Sequence, residues 1–202
     1  GVTEFLPISS TGHLIILNNW LSFSESFTTM FDVVIQLGAI LAVIVIFSKK
    51  LWPFGKDEKI KTTTLNVLSL NIWYKTILAV LPALVLGALF GSAIEARLFN
   101  TFTVAVALIV GGIILIVIEN RQNNNPAVKF TSENSYRTAF LIGLFQCLAM
   151  IPGTSRAAAT IIGAMWLGAS RAVAVEFSFF LAIPTMLAAS AYSFLKYDGV
   201  LT

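Results

Sequence analysis

Charge is what this sequence has least of. Only 11% of its 202 residues are charged, 57% are hydrophobic, and the mean hydropathy is +0.85. A soluble domain carries roughly 25% charged and about 45–50% apolar residues, so much of this surface meets something other than water. Histidine occurs once, as His13, which excludes a multi-histidine metal site within the chain. Cysteine also occurs once, as Cys147, which excludes an internal disulfide. Its neighbours Phe145, Leu148 and Met150 make it a buried structural thiol. Walker loops, cysteine zinc spacings, dinucleotide glycine fingerprints and nucleic-acid motifs are all missing. The net charge of +3 is small, and its basic residues sit in particular loops, which suggests membrane orientation and not binding of RNA or DNA. No basic n-region precedes an apolar stretch, so no signal peptide is read. Gly1 already falls inside a motif, and a chain missing its beginning is expected.

What is present is a set of long apolar runs. A membrane-crossing helix needs ~20 mostly apolar residues. Residues 33–48, 76–94, 98–118 and 172–195 are read as spans, with Pro82 and Pro184 inside two of them. Proline is tolerated there because neighbouring groups satisfy the carbonyl it frees. Two further apolar runs are broken. Residues 1–17 contain Glu4, Pro7, Ser9, Ser10, Thr11 and His13; residues 139–167 contain Pro152, Gly153, Thr154, Ser155, Arg156 and Thr160. A helix does not run undisturbed through Pro-Gly, and broken backbone survives in lipid only under cover of protein or water. Each is read as a re-entrant pair of half-helices with its polar cluster at the tip.

The two broken runs resemble each other: Pro7 precedes Ser10 by three residues, and Pro152 precedes Ser155 by three. An acidic residue opens the span after each, Asp32 and Glu176. Paired interruptions at matching places mark inverted-repeat membrane folds, with the site at the repeat interface. Loop charge points the same way. Residues 49–61 hold five lysines against Asp57 and Glu58, and residues 119–137 hold Arg121, Lys129 and Arg137 against Glu119 and Glu133. Residues 18–32 hold no basic residue. Basic loops stay cytoplasmic. The first broken run then enters from outside and the second from the cytoplasm, three crossings apart and therefore inverted. The expected fold is an all-α polytopic membrane protein with inverted-topology repeats, each a re-entrant helix pair plus transmembrane helices. The chain reads as one membrane domain over 1–202, truncated at both ends, with a first repeat at 1–118 and an incomplete second at 138–202.

Ionisable groups inside membrane segments are functional candidates by default; here they are Glu4, His13, Arg156 and Glu176. The turn PGTSR at 152–156 frees backbone N–H groups, and a helix starting after it aims its positive end there. Thr154 and Ser155 add donors, and the planar fork of Arg156 suits two phosphate oxygens. The plainer alternative is that Thr154 or Ser155 caps the helix while Arg156 snorkels to the interface. In the first tip, Glu4 is suited to a divalent metal or a proton, His13 to shuttling a proton, and Ser9 or Ser10 to nucleophilic attack. The plainer roles are a helix N-terminal carboxylate for Glu4 and an interfacial polar residue for His13.

GVTEFLPISSTGH at 1–13, and PGTSR at 152–156 followed by Thr160, resemble the two signature motifs of the undecaprenyl-diphosphate phosphatase family, the bacitracin-resistance proteins. Residues 34–41 and 176–184 also resemble family segments, so the likeness covers essentially the whole chain. The family's first motif has a second acidic position four residues ahead of Glu4, which falls before Gly1. Its second motif often continues Ser-Gly after the arginine, where Ala157 and Ala158 stand here. The resemblance implies hydrolysis of undecaprenyl diphosphate to the monophosphate, which recycles the lipid carrier for cell-wall synthesis. It implies a divalent cation, Mg2+ or Ca2+, at Glu4. It makes Glu4, Ser9, Ser10, His13 and Arg156 catalytic, and Ser155, Arg156 and Thr160 substrate-binding; Thr154 joins the substrate-binding set as a donor of the same turn. It implies a multi-pass protein of the bacterial inner membrane with its site facing outward. Partners would be the polyprenyl diphosphate and membrane lipid, with no nucleic acid; a homo-oligomer is compatible with the sequence. The main rival is a lipid-phosphate or anion transporter using the same polar site.

Overall fold

The computed structural model describes residues 4, 6–9, 25–52, 54–56, 63–65, 67–98, 100–122 and 135–196. These form α1 (Glu25–Ile46), α2 (Ser48–Leu51), a hairpin of β1 (Phe54–Lys56) and β2 (Thr63–Leu65), α3 (Val67–Leu98) and α4 (Thr101–Gln122). Then come α5 (Ser135–Gln146), which tightens into a 3₁₀ turn at Cys147–Met150, α6 (Arg156–Trp166) and α7 (Arg171–Lys196).

Three helices are long and apolar enough to cross a membrane: Leu70–Ile94, Thr101–Arg121 and Arg171–Tyr192. They match three of the four expected spans, and the protein is a helical membrane protein. The fourth, 33–48, falls mostly on α1, which ends at Ile46, and the apolar part Ile35–Ile46 is shorter than a full span. The fold is all-α as expected, and among the described residues a short hairpin at the lysine-rich loop accompanies the helices. There Phe54, Gly55 and Lys56 pair antiparallel with Leu65, Thr64 and Thr63, where β-branched threonines favour extended backbone.

Lipid exposure follows from which faces find protein partners. On α4, Phe102, Ile109, Ile113 and Ile116 are all exposed, as an apolar helix in hydrocarbon permits. The reverse holds for α6, where every residue from Ala157 to Met165 is buried. Its neighbours are α4, α5 and α7. Small residues make that enclosure possible: Ala79, Ala139, Ala157, Ala164 and Ala174 all belong to the main core. Lipid tails are as apolar as leucine, so membrane helices associate through close packing of such residues. Gly143 shows how tight it is, since a Cβ there would collide with the Ala79 backbone of α3. A second cluster ties α1 to α7 through Ile40, Val43, Phe180 and Ile183. Phe47 meets Phe180 edge-to-face at 5.2 Å.

Charged and polar groups gather where several helices end together. Lys50 of α2 pairs with Glu176 of α7 at 2.6 Å, and Arg171 of α7 pairs with Glu119 of α4. Trp73 Nε1 donates to the Leu51 carbonyl at 2.9 Å. Tyr136 donates to Asn71 Oδ1 at 2.6 Å, beneath the Lys75 ammonium. Helix α3 therefore starts before residue 76, because its polar first turns have partners at this end. Lys50 and Glu119, where the two basic loops begin, both lie at this end.

Candidate functional site

Between α5 and α6 the chain reverses at 151–155. Gly153 makes the reversal possible with φ +91°, a conformation that side chains disfavour. A Cβ at Gly153 would lie 2.7 Å from Val104 Cα, so the turn is seated directly on the α4 backbone. Ser155 is the N-cap of α6: its Oγ accepts from the Ala158 N–H at 3.2 Å. The plainer role of Ser155 is thus present, and it still leaves the first N–H groups of α6 facing the turn. At the far end of α6, Gly168 (φ +93°) and Ala169 donate back to Met165 and Ala164, closing a Schellman cap. Both ends of this buried helix are satisfied or turned to polar space, as a low-dielectric setting requires.

Arg156 opens α6. Its side chain is 12% exposed, and its fork spans two elements that are far apart in sequence. Nη2 donates to Glu4 Oε1 at 3.5 Å, and Nη1 donates to the Ser178 carbonyl of α7 at 3.3 Å. Nε is buried with no partner among the described residues. The guanidinium is therefore held inside the protein, not extended to an interface. Behind it, Thr160 is fully buried, and its hydroxyl meets the Arg156 and Ala157 carbonyls and the Ser178 hydroxyl. Thr160 backs the arginine from beneath and does not line the cavity above the turn.

That cavity has a volume of about 600 Å³. Glu4 and Ser9 of the first broken run line it together with Pro152, Thr154, Ser155 and Arg156 of the second. More than 140 residues separate the two groups. Ser9 is 3% exposed and holds φ at +57°. A non-glycine residue in that region costs on the order of 1–3 kcal/mol, and such strain gathers at active sites and ligand clamps. Ser10 and His13 lie outside the described residues. The cavity wall is otherwise apolar and small: Ala83, Gly87 and Gly91 of α3 and Ala188 and Ala189 of α7. Its lining also includes Ser92 and Ile94 of α3 and Tyr192 of α7, towards the ends opposite the charged cluster.

Glu176, a candidate by its position in an apolar run, stands elsewhere. It is paired with Lys50 at the charged end and does not line the cavity. Conversely, Gln36, Gln146 and Thr185 line the cavity, and the sequence reading does not single them out. The signal that could have found two of them is an uncharged amide in a run otherwise fit for lipid, at Gln36 in 33–48 and Gln146 in 139–167. Among the described residues no three His, Cys, Asp or Glu side chains cluster as a metal cage. Cys147 is a free thiol donating to the Gly143 carbonyl at 3.4 Å, in keeping with a structural part.

Comparison with known proteins places the whole chain. Residues 1–201 match the family model described as bacitracin resistance protein BacA. An undecaprenyl-diphosphatase of Lachnoclostridium phytofermentans is 54% identical over 100% of this chain and 74% of its own length. Undecaprenyl-diphosphatase 1 of Clostridioides difficile is 54% identical, covering 97% of this chain and 71% of its own length. The undecaprenyl-diphosphatase of Enterococcus faecalis is 48% identical, covering 98% and 72%. A match across nearly every residue, at such identity, leaves one family assignment: the chain belongs to the BacA bacitracin resistance protein family.

Proposed function

We propose that this protein hydrolyses undecaprenyl diphosphate to undecaprenyl phosphate and inorganic phosphate. One observation carries the chemistry: Glu4 and Arg156, from the two broken runs, face each other across 3.5 Å in one cavity. The names of the relatives supply the substrate, and they favour an enzyme over an anion transporter.

A diphosphate is dense in negative charge, and its terminal phosphoryl group spreads that charge over three oxygens as it transfers. The fork of Arg156 offers two parallel donors to such oxygens. Its hold on the Ser178 carbonyl fixes the plane of that fork, and Thr160 fixes the α6 backbone beneath it. The Ser155 cap and the free N–H groups of the first α6 turn add neutral donors at the same point. In the reaction water adds to the terminal phosphorus and the bond to the bridging oxygen breaks. Inorganic phosphate departs and the lipid monophosphate remains. Ser9 and Ser10 are the candidate attacking hydroxyls if the phosphoryl group passes through the protein, and His13 the group that moves the proton.

The donors here suit magnesium better than a dedicated calcium cage. Among the described residues Glu4 is the one carboxylate lining the cavity, with the Ser9 hydroxyl on the same wall, and Mg2+ commonly takes one or two carboxylates with water and substrate phosphates. Glu4 is the residue that would hold the cation, which would neutralise charge on the diphosphate.

The site is assigned to the outer face of the bacterial inner membrane. Supporting this, Lys50 and Glu119, where the basic loops begin, lie at the Arg171 end, and the cavity lining extends to Ile94 and Tyr192 towards the other ends of α3 and α7. The half-helix reading of 139–167 draws support from length. Helices α5 and α6 have 12 and 11 residues. That is about 18 and 16 Å at 1.5 Å per residue, against a hydrocarbon core of about 30 Å. The decisive experiment is phosphate release from undecaprenyl diphosphate by the detergent-purified protein, with and without chelator. Release that stops with EDTA and returns with Mg2+ is expected; no release would overturn the assignment.

A further inference from the structure

Gln146 ends α5, where the helix tightens into the 3₁₀ turn. It is 2% exposed, yet it borders the cavity that holds Arg156 and Glu4. A buried amide in an apolar setting is costly unless its hydrogen-bonding capacity is met. The amide edge faces Thr185 of α7, whose Oγ1 lies 3.2 Å from Nε2 and 3.4 Å from Oε1. A hydroxyl has one proton to give. The Thr185 hydroxyl also stands 2.7 Å from the Leu181 carbonyl, its shortest and best-placed acceptor. With its proton committed there, Thr185 accepts from Gln146 and cannot donate to it. This fixes the amide with its nitrogen towards Thr185. It leaves the second Nε2 hydrogen, and Oε1, without a matching protein group among the described residues. Since the residue lines the cavity, a guest there completes it.

We propose that Gln146 contacts the substrate, giving its second N–H to a phosphate oxygen of the lipid diphosphate, and that Thr185 is the positioning residue that sets the amide. The inference rests on the phosphatase assignment and adds a residue to it. Arg156 supplies positive charge on one side; Gln146 supplies a neutral donor on another. Such a donor orients the diphosphate without strengthening the hold on the departing phosphate as an extra cation would.

The test uses the detergent-purified full protein and undecaprenyl diphosphate, with kcat and KM measured separately. A hydrogen bond to a charged group is worth about 1.5–3 kcal/mol. Gln146→Met, close in shape but without the donor, should therefore lose roughly 10- to 100-fold in kcat/KM, at about 1.36 kcal/mol per tenfold. Gln146→Glu keeps the shape and sets an anion against the phosphate. It should lose more near neutral pH and recover relative to wild type as pH falls, because the protonated acid again offers a donor. Thr185→Val should raise KM several-fold, and Thr185→Ser should restore it. A purely structural glutamine would give neither the acid recovery nor the serine rescue. Wild-type kcat/KM in Gln146→Met, or a Gln146→Glu deficit that does not change with pH, would refute the role of Gln146. If Gln146→Met does not remain monodisperse, the Gln146→Glu pH profile and the valine–serine pair decide alone. A wild-type protein that releases no phosphate would overturn the phosphatase assignment as well, whereas an active wild type with unaffected variants removes this inference only.

Discussion

Replacing Arg156 by lysine keeps the positive charge and removes the fork. In the structure the guanidinium bonds two groups at once, Nη2 to Glu4 and Nη1 to the Ser178 carbonyl. A lysine ammonium is a compact point charge and cannot hold that plane. It would stay near Glu4, the closest anion, and leave Ser178. The bond to Ser178 is a charge-assisted hydrogen bond worth about 1.5–3 kcal/mol, and with it goes the second parallel arm towards phosphate. At about 1.36 kcal/mol per tenfold, kcat/KM should fall roughly 10- to 100-fold while the protein stays folded. Arg156→Ala goes further. It removes the guanidinium paired with the Glu4 carboxylate, which is 10% exposed, and breaking such a buried pair costs on the order of 3–5 kcal/mol. Activity should then disappear and the melting temperature should drop. The assay is phosphate release by monodisperse variants, alongside thermal unfolding. A lysine variant with normal kcat and KM would refute the argument, since a point charge would then serve as well as a fork.

Glu4→Gln should lower turnover by ~10²–10⁴-fold with folding intact, as should His13→Ala, the usual range for lost acid–base groups; wild-type turnover in both would return these residues to structural parts. Removing divalent cation with EDTA should abolish activity in wild type, and Mg2+ should restore it; activity indifferent to chelation would remove the metal from Glu4. In intact cells an impermeant thiol reagent should label Ser24→Cys and spare Lys56→Cys; the opposite pattern would invert the topology. Gly143→Val should destabilise the protein by about 1–3 kcal/mol, the usual range for overpacking, because the obstacle is the Ala79 backbone and not a side chain that can turn aside. An unchanged melting temperature would mean that α3 and α5 are not packed so closely.

Several features were legible in the chain itself because they depend on local composition. Too little charge and long apolar runs make a membrane protein. Pro152-Gly153 makes a break, and Ser155 ahead of Ala158 makes a helix cap. The motifs at 1–13 and 152–156 carried the family, since a long string of specific residues does not arise by chance. What was not legible depends on which side chains meet. Glu176 and Arg156 look alike in sequence, each a lone charge in an apolar run. Packing sends Glu176 to Lys50 at a helix end and Arg156 to Glu4 inside a cavity. The same packing sets Gln146 of α5 against Thr185 of α7, 39 residues away. A polar group in an apolar run announces only that it needs a partner. Which partner it finds is decided by the packing of helices distant in sequence, and no local pattern of residues records it.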